Sequence, residues 1–215
     1  MKAEEITAIL DAVHAWSEAR DFTGYNKHDG LNSPLLAPLC GWSKWARILA
    51  IQLVMRAPVN IRPLLRVRQA PNPKGLALFA SGLLDRYAAT GDSRYLQQAQ
   101  SLLSRLSELR SPGPWRGCAW GYHYPWQDPG FYAHSGTPNA VVTAFVCTAF
   151  LDAWHATREE KYLEIVGEAV SFFLRDLQVL KQTEDEMCLS YMPLPMTMRV
   201  MDVSILVGSV IAEYA

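Results

Sequence analysis

No excess of basic over acidic side chains marks this chain: 20 Lys and Arg stand against 21 Asp and Glu, a formal charge of −1. Without a positive surplus there is little to drive counterion release from a phosphate backbone, so nucleic acid is not an expected partner. Arg62, Arg66 and Arg68 form the one local concentration of basic residues, and they read as a solvated loop and helix edge. Cysteine is scarce too. Cys40, Cys118, Cys147 and Cys188 are widely spaced, make no CxxC pair, and read as reduced thiols of a cytoplasmic protein. A membrane-length apolar run is also missing. The longest, Ala140 to Phe150, is interrupted only by Thr and falls short of the ~20 residues a bilayer needs, so it reads as a buried helix and no membrane span is expected. The opening stretch, MKAEEITAILDAVHAW, has acidic residues where a signal peptide has basic ones and lacks a small-residue cleavage site, which implies no export. No stretch shows a convincing strand pattern. Cys118, His123 and His134 have no metal-ligand spacing and no fourth partner, so neither metal nor cofactor is expected.

What the chain does have is an internal repeat. LLDRYAATGDSRYL at 83–96 aligns without a gap on FLDAWHATREEKYL at 150–163, an offset of 67 residues. Each copy reads as a helical hairpin, with a first helix ending near Thr90 or Thr157, a tight turn, and a second helix entered through small polar or acidic residues. A third copy begins at VIAEYA, 210–215, which sets Tyr214 beside Tyr87 and Trp154. The first helix of each hairpin is apolar nearly all round and must be covered on most faces. The second carries apolar residues every three or four positions with charges opposite. Buried inner helices and amphipathic outer helices describe an all-α fold of repeated hairpins, an α/α toroid. With two helices expected near 3–20 and 42–56, the count is about seven.

Loop lengths then place a site. Short turns near 91 and 158 join inner to outer helices, while the long connections at 57–73, 111–137 and 181–200 fall together at the other end, over the inner-helix N-termini. The second of these holds WGYHYPWQDPGFYAHSGTPNA, with Trp120, Tyr122, Tyr124, Trp126, Phe131 and Tyr132 on a backbone that Pro125, Pro129 and Pro138 keep irregular. Flat aromatic faces with polar handles suit sugar rings, which stack a C–H face and present a rim of hydroxyls. Trp120, Trp126, Gln127, Tyr132, Asn139 and Tyr191 are therefore candidate sugar-binding residues, and the mouth of the toroid is the expected concave site.

Carboxylates bear on the reaction. A glycosidase normally sets two Asp or Glu on either side of one bond, and no such pair stands out here. Glu184 to Glu186 and Asp128 read as turns. Asp202, in the first turn of the last inner helix, divides between dipole stabilisation and catalysis, and Asp29 in GYNKHDGLNSP has Tyr25 and His28 as neighbours. Proton abstraction at a sugar carbon needs less, and His123, His134 and Tyr122 could supply it. The candidate catalytic set is thus His134, Tyr122, His123, Asp29 and Asp202, with Tyr25 added to the binding set. Tyr25 and Asp29 are expected to run back to the mouth, although helix parity alone puts residues 21–41 at the opposite end.

Three blocks, GYNKHDGLNSPLL, WGYHYPWQDPGFYAHSGTPNAVVTAFVCTAFLDAW and LSYMPLPMTMRVMDVSILVGSVIA, resemble bacterial six-hairpin glycosidase-like proteins encoded with polysaccharide biosynthesis genes. The resemblance spans residues ~20–215 and implies an (α/α)6 toroid acting on, or binding, a glycan or lipid-linked sugar by hydrolysis, elimination or epimerisation. Met201-Asp202 stands where the resemblance implies a His-Asn pair. Six hairpins at this spacing need nearly twice the chain, so residues 1–215 are expected to form one partial toroid domain, truncated at its C-terminal side, whose last helix is covered by an oligomer partner or a missing half. The competing reading is a non-catalytic glycan-binding or assembly protein derived from such a truncated toroid.

Overall fold

The computed structural model describes residues 3–215. Among them eight α-helices carry the fold: α1 (Ala3–Glu18), α2 (Leu36–Cys40), α3 (Lys44–Arg56), α4 (Pro73–Thr90), α5 (Ser93–Glu108), α6 (Ala140–Thr157), α7 (Glu160–Arg175) and α8 (Met201–Tyr214). The class is all-α. The expectation of no strands needs correction, because three two-stranded antiparallel ribbons are present: β1 (Thr23–Gly24) with β2 (Ala70–Pro71), β3 (Trp126–Gln127) with β4 (Tyr132–Ala133), and β5 (Val179–Gln182) with β6 (Met187–Leu189). Most of these strands are too short to display the alternation that betrays a strand in sequence.

The two turns aligned by the repeat fold alike. Gly91 and Arg158 both adopt the left-handed conformation, at φ of 71° and 58°, and their N–H groups bond to the equivalent carbonyls of Tyr87 and Trp154. Thr90 donates its hydroxyl to the Arg86 carbonyl and accepts from the Asp92 N–H; Thr157 does the same with Ala153 and Glu159. The helix terminus is thereby closed in the same way twice. Only the next cap differs. The Asp92 carboxylate accepts from the Arg94 N–H, whereas the longer Glu159 side chain makes no cap bond.

α4, α6 and α8 lie in a row, with α6 packed against α4 on one side and α8 on the other, while α5 backs α4 and α7 backs α6. α6, central in the row, buries Val142, Val146, Cys147, Phe150 and Leu151 around its circumference. By length and composition it could cross a membrane, but 61% of it is buried inside the protein. The amphipathic α5 and α7 turn Leu103, Leu106, Phe172 and Phe173 onto this row, each contributing roughly 1.5–3 kcal/mol by burial. α1 reaches α4 through side chains, with a wider backbone separation than α5 keeps from α4 or α7 from α6: Arg86 and Asp11 pair at 2.6 Å, and just past the end of α1 Phe22 meets Phe79 edge-on at 5.1 Å. At the far edge of the row α8 leaves Met201 and Ile205 76% and 72% exposed.

α3 is not part of the row. It packs on a 3-10 turn, Asp29–Asn32, and on β3. Helix parity puts residues 21–41 at the opposite end only if α3 takes a place in the row, and it does not. With α3 set aside, the whole segment from 21 to 72 stands at the N-terminal end of α4, where β1 pairs with β2.

Trp120 lies under the aromatic loop rather than in it. Fully buried, it faces Phe150 at 6.1 Å and donates its indole N–H to the Leu106 carbonyl at 2.6 Å. Trp120→Ala should cost about 3–5 kcal/mol, read by urea denaturation; a loss below 1 kcal/mol would remove Trp120 from the core.

Candidate functional site

Two glycines fix the loop from 111 to 139, one against α7 and one against the loop's own far end. A Cβ on Gly117 would lie 1.9 Å from the Glu168 carbonyl oxygen on α7, and one on Gly121 would lie 1.9 Å from that of Thr137. Only glycine permits such approach. The Trp120 N–H donates to the Thr143 hydroxyl, and the Asn139 N–H to the Trp120 carbonyl, both at 3.0 Å. These bonds seat the loop on the first turn of α6, and the Asn139 side chain caps that turn through the Val142 N–H.

On this base stands a cleft of about 350 Å³ lined by Asn26, Lys27, His28, Asn72, Tyr122, Tyr124, Trp126 and Tyr191. Trp126 organises it. His28 stacks on its indole with centroids 5.8 Å apart, and Tyr122, Phe131 and Tyr191 meet it edge-on at 6.4, 4.8 and 6.3 Å. Tyr122 stacks on Tyr124 at 5.2 Å, and Tyr191 lines the same wall, tilted against Phe131 at 6.2 Å. On the opposite wall the Asn72 amide donates to the Asn26 side-chain oxygen at 2.5 Å while its own oxygen caps α4. Burial raises the Tyr122, Tyr124 and Tyr191 hydroxyls above the ordinary tyrosine range. Burial also lowers His28, aided by the Lys27 charge and opposed by Asp128 and Asp29. At neutral pH the cleft therefore presents protonated phenols and an uncharged imidazole.

Of the twelve residues singled out from the sequence, Tyr122, Trp126 and Tyr191 line the cleft. Tyr25 lies one hollow away, in a space of about 280 Å³ that shares Asn26 and Asn72 with it, and the Arg62 guanidinium stands 5.7 Å from its ring. Asp202 is exposed, close enough for its charge to disfavour the Tyr191 phenolate. His123 packs edge-on to Tyr124 outside the lining, its Nδ1 buried without a partner, and burial lowers its pKa.

The remaining six need correction. Trp120 and Asn139 are both fully buried, one as core and one as cap, and neither touches the cleft. Asp29, 1% exposed, is held by Arg62 at 2.7 Å and by the Asn26 N–H at 2.8 Å, so it braces the 26–29 turn instead of facing a ligand. Gln127 and Tyr132 oppose each other across β3 and β4 and therefore share a face, while Trp126 and Ala133 share the other. On the first face Arg47 donates to Gln127 at 2.8 Å and lies 4.7 Å from the Tyr132 ring, and His134 sits exposed, edge-on to Tyr132. That pairing turns Gln127, Tyr132 and His134 away from the cleft.

His28, Lys27 and Asn26 were passed over as site residues, though all three stand in the segment that singled out Asp29. Their signal is three consecutive polar residues beside the aromatic Tyr25. Among the described residues no group of three or more His, Cys, Asp or Glu could hold a metal ion. No protein family, curated protein or solved structure matches the chain.

Two outcomes follow from the geometry. Asp29→Ala removes the buried partner of the partly buried Arg62 charge and should cost about 3 kcal/mol, measured by denaturant unfolding; a loss under 1 kcal/mol would show the pair to be idle. The depressed His28 resists a proton that the unfolded chain accepts below about pH 6.5, so this histidine makes stability fall as pH drops through 6.5 toward its folded pKa, with no contribution above. Unfolding curves between pH 5 and 7.5 should show a shallower slope in His28→Gln, and an unchanged slope would assign the effect elsewhere.

Proposed function

We propose that the cleft holds a sugar ring of a glycan and that the chain is a carbohydrate-active α/α-toroid protein of exopolysaccharide or cell-surface glycan metabolism, its row of α4, α6 and α8 being three inner helices of an incomplete (α/α)6 ring. The observation that carries this reading is the setting of Trp126. Its partly exposed indole stands in a cleft whose other walls bear the hydroxyls of Tyr122 and Tyr191 and the amides of Asn26 and Asn72. An apolar flat surface beside a few convergent polar groups is the lining that a saccharide demands.

The lining also bears on the chemistry. Hydrolysis through two carboxylates needs a flanking pair, and none of the eight lining residues is acidic. A neutral imidazole at His28 and protonated hydroxyls at Tyr122 and Tyr191 instead form an acceptor and a donor, the combination for proton transfer at a sugar carbon in elimination or epimerisation. The non-catalytic reading draws on a different fact. His28 is committed to its stack on Trp126, and burial keeps the Tyr122 and Tyr191 phenols from giving up their protons, which fits a surface that holds a ligand without moving protons.

Glycan-array binding followed by product analysis on each hit separates these readings. Trp126→Ala should weaken binding to any glycan found by about 1–3 kcal/mol, roughly five- to 150-fold. Equal affinity in a folded variant would remove Trp126 from the site, and a bound glycan recovered unchanged would favour the non-catalytic reading.

A further inference from the structure

The groove between α1 and α4 has the form of a seat for one more helix. It encloses about 660 Å³, is mostly apolar, and is lined by Leu10 and Val13 of α1 and by Leu78, Gly82, Leu83 and Ala89 of α4. The repeat explains its shape. α4 rests against α5, an outer helix, and α6, the inner helix that follows α5. α1 and α4 stand in the same order, an outer helix and the inner helix that follows it, so the groove is to them what the seat of α4 is to α5 and α6. The occupant it fits is an inner-type helix with its N-terminus at the β1–β2 end.

α8 has the matching deficiency. It rests on α6 and α7, and among the described residues no helix covers its other side, where Met201 and Ile205 are largely exposed. The geometry points to a second copy of this chain as the occupant: α8 of each copy lies in the α1–α4 groove of the other. This rests on the ring reading given above, in which three inner helices turn through half of a six-membered circle and a two-fold axis supplies the other half. Heights agree, because the repeat sets Tyr214 level with Tyr87 and so places Gly208 within one residue of the level of Gly82. A Cβ added at either glycine meets nothing within 4 Å, leaving two small-residue edges that permit close approach. Extent agrees as well. A 14-residue helix is about 21 Å long, and half-covering it buries on the order of 400 Å² on each side of the seam. Two seams then bury about 1,600 Å², the size of a stable protein interface.

Light scattering coupled to size-exclusion chromatography, run without any sugar, reads the seam alone and is independent of whether the cleft binds glycan. The expected result is a dimer at micromolar concentration. Leu78→Asp and Ile205→Asp, both at exposed positions, should keep the helical circular dichroism of the parent and weaken association about tenfold or more. In a Cys40→Ser, Cys188→Ser background, chains carrying only Gly82→Cys and chains carrying only Gly208→Cys should be joined by a short bismaleimide when mixed, and neither should be joined to itself. A monomeric parent, a dimer indifferent to both aspartates, or Gly208→Cys chains that link among themselves would each overturn the proposal.

Discussion

The attachment of one loop backbone to the first turn of α6 is the constraint from which the rest of the cleft follows. Trp120 drives its ring between α5 and α6, hands its indole N–H to the Leu106 carbonyl, and ties its own backbone to Thr143 and Asn139. Every ring that follows takes its position from that anchor. Two residues on, Tyr122 emerges from the core, and six on, Trp126 enters the short ribbon that sends Tyr132 to the other face. A residue with no access to the cleft thus decides where the cleft stands. The energetic scale is consistent with this role, since an indole buried with its N–H satisfied is among the largest single contributions a side chain makes.

The hairpins were legible in the sequence because their information is local. Helix period, turn residues and the 67-residue repeat all act within a few positions of each other, and the hydrogen bonds of the two turns match residue for residue. The cleft was legible only in part. Tyr122, Trp126 and Tyr191 were identified as aromatics on long loops, a property of composition. Whether a given ring faces the cleft or α3 depends on the register of a two-residue ribbon, and four residues carry no periodic signal. Trp120 and Asn139 were assigned to the site because chemical type does not distinguish a buried anchor or a cap from a ligand contact. Asp29 looked reactive for a related reason: the Arg62 that neutralises it lies 33 residues away in the chain, beyond the reach of local pattern.

Apart from Lys27, the cleft is built to stay uncharged. The carboxylate nearest in sequence is consumed by Arg62, the imidazole of His28 is held neutral, and the three phenols are held protonated, all by burial on one patch of surface. Lys27 is the one formal charge in the lining, and it is exposed. Such a surface discriminates through shape and hydroxyl geometry rather than through attraction at a distance, and salt should affect contacts within it far less than it affects the ion pairs on the outer helices.

The two walls of the cleft differ in how the chain reaches them. The wall bearing Tyr122 and Tyr124 is continuous with the tightly buried α5–α6–α7 core. The wall bearing Asn26, Lys27 and His28 is joined to the helices through a ribbon of two residues per strand, the Asn26–Asn72 contact and the Asp29–Arg62 pair. Closing that ribbon brings together positions some 46 residues apart, an entropic step that the local hairpins do not face. The walls therefore belong to different cooperative units. In hydrogen-exchange terms the amides of residues 23–29 should open by a sub-global excursion that leaves α5, α6 and α7 protected, giving the cleft a way to widen without unfolding the helices that support it.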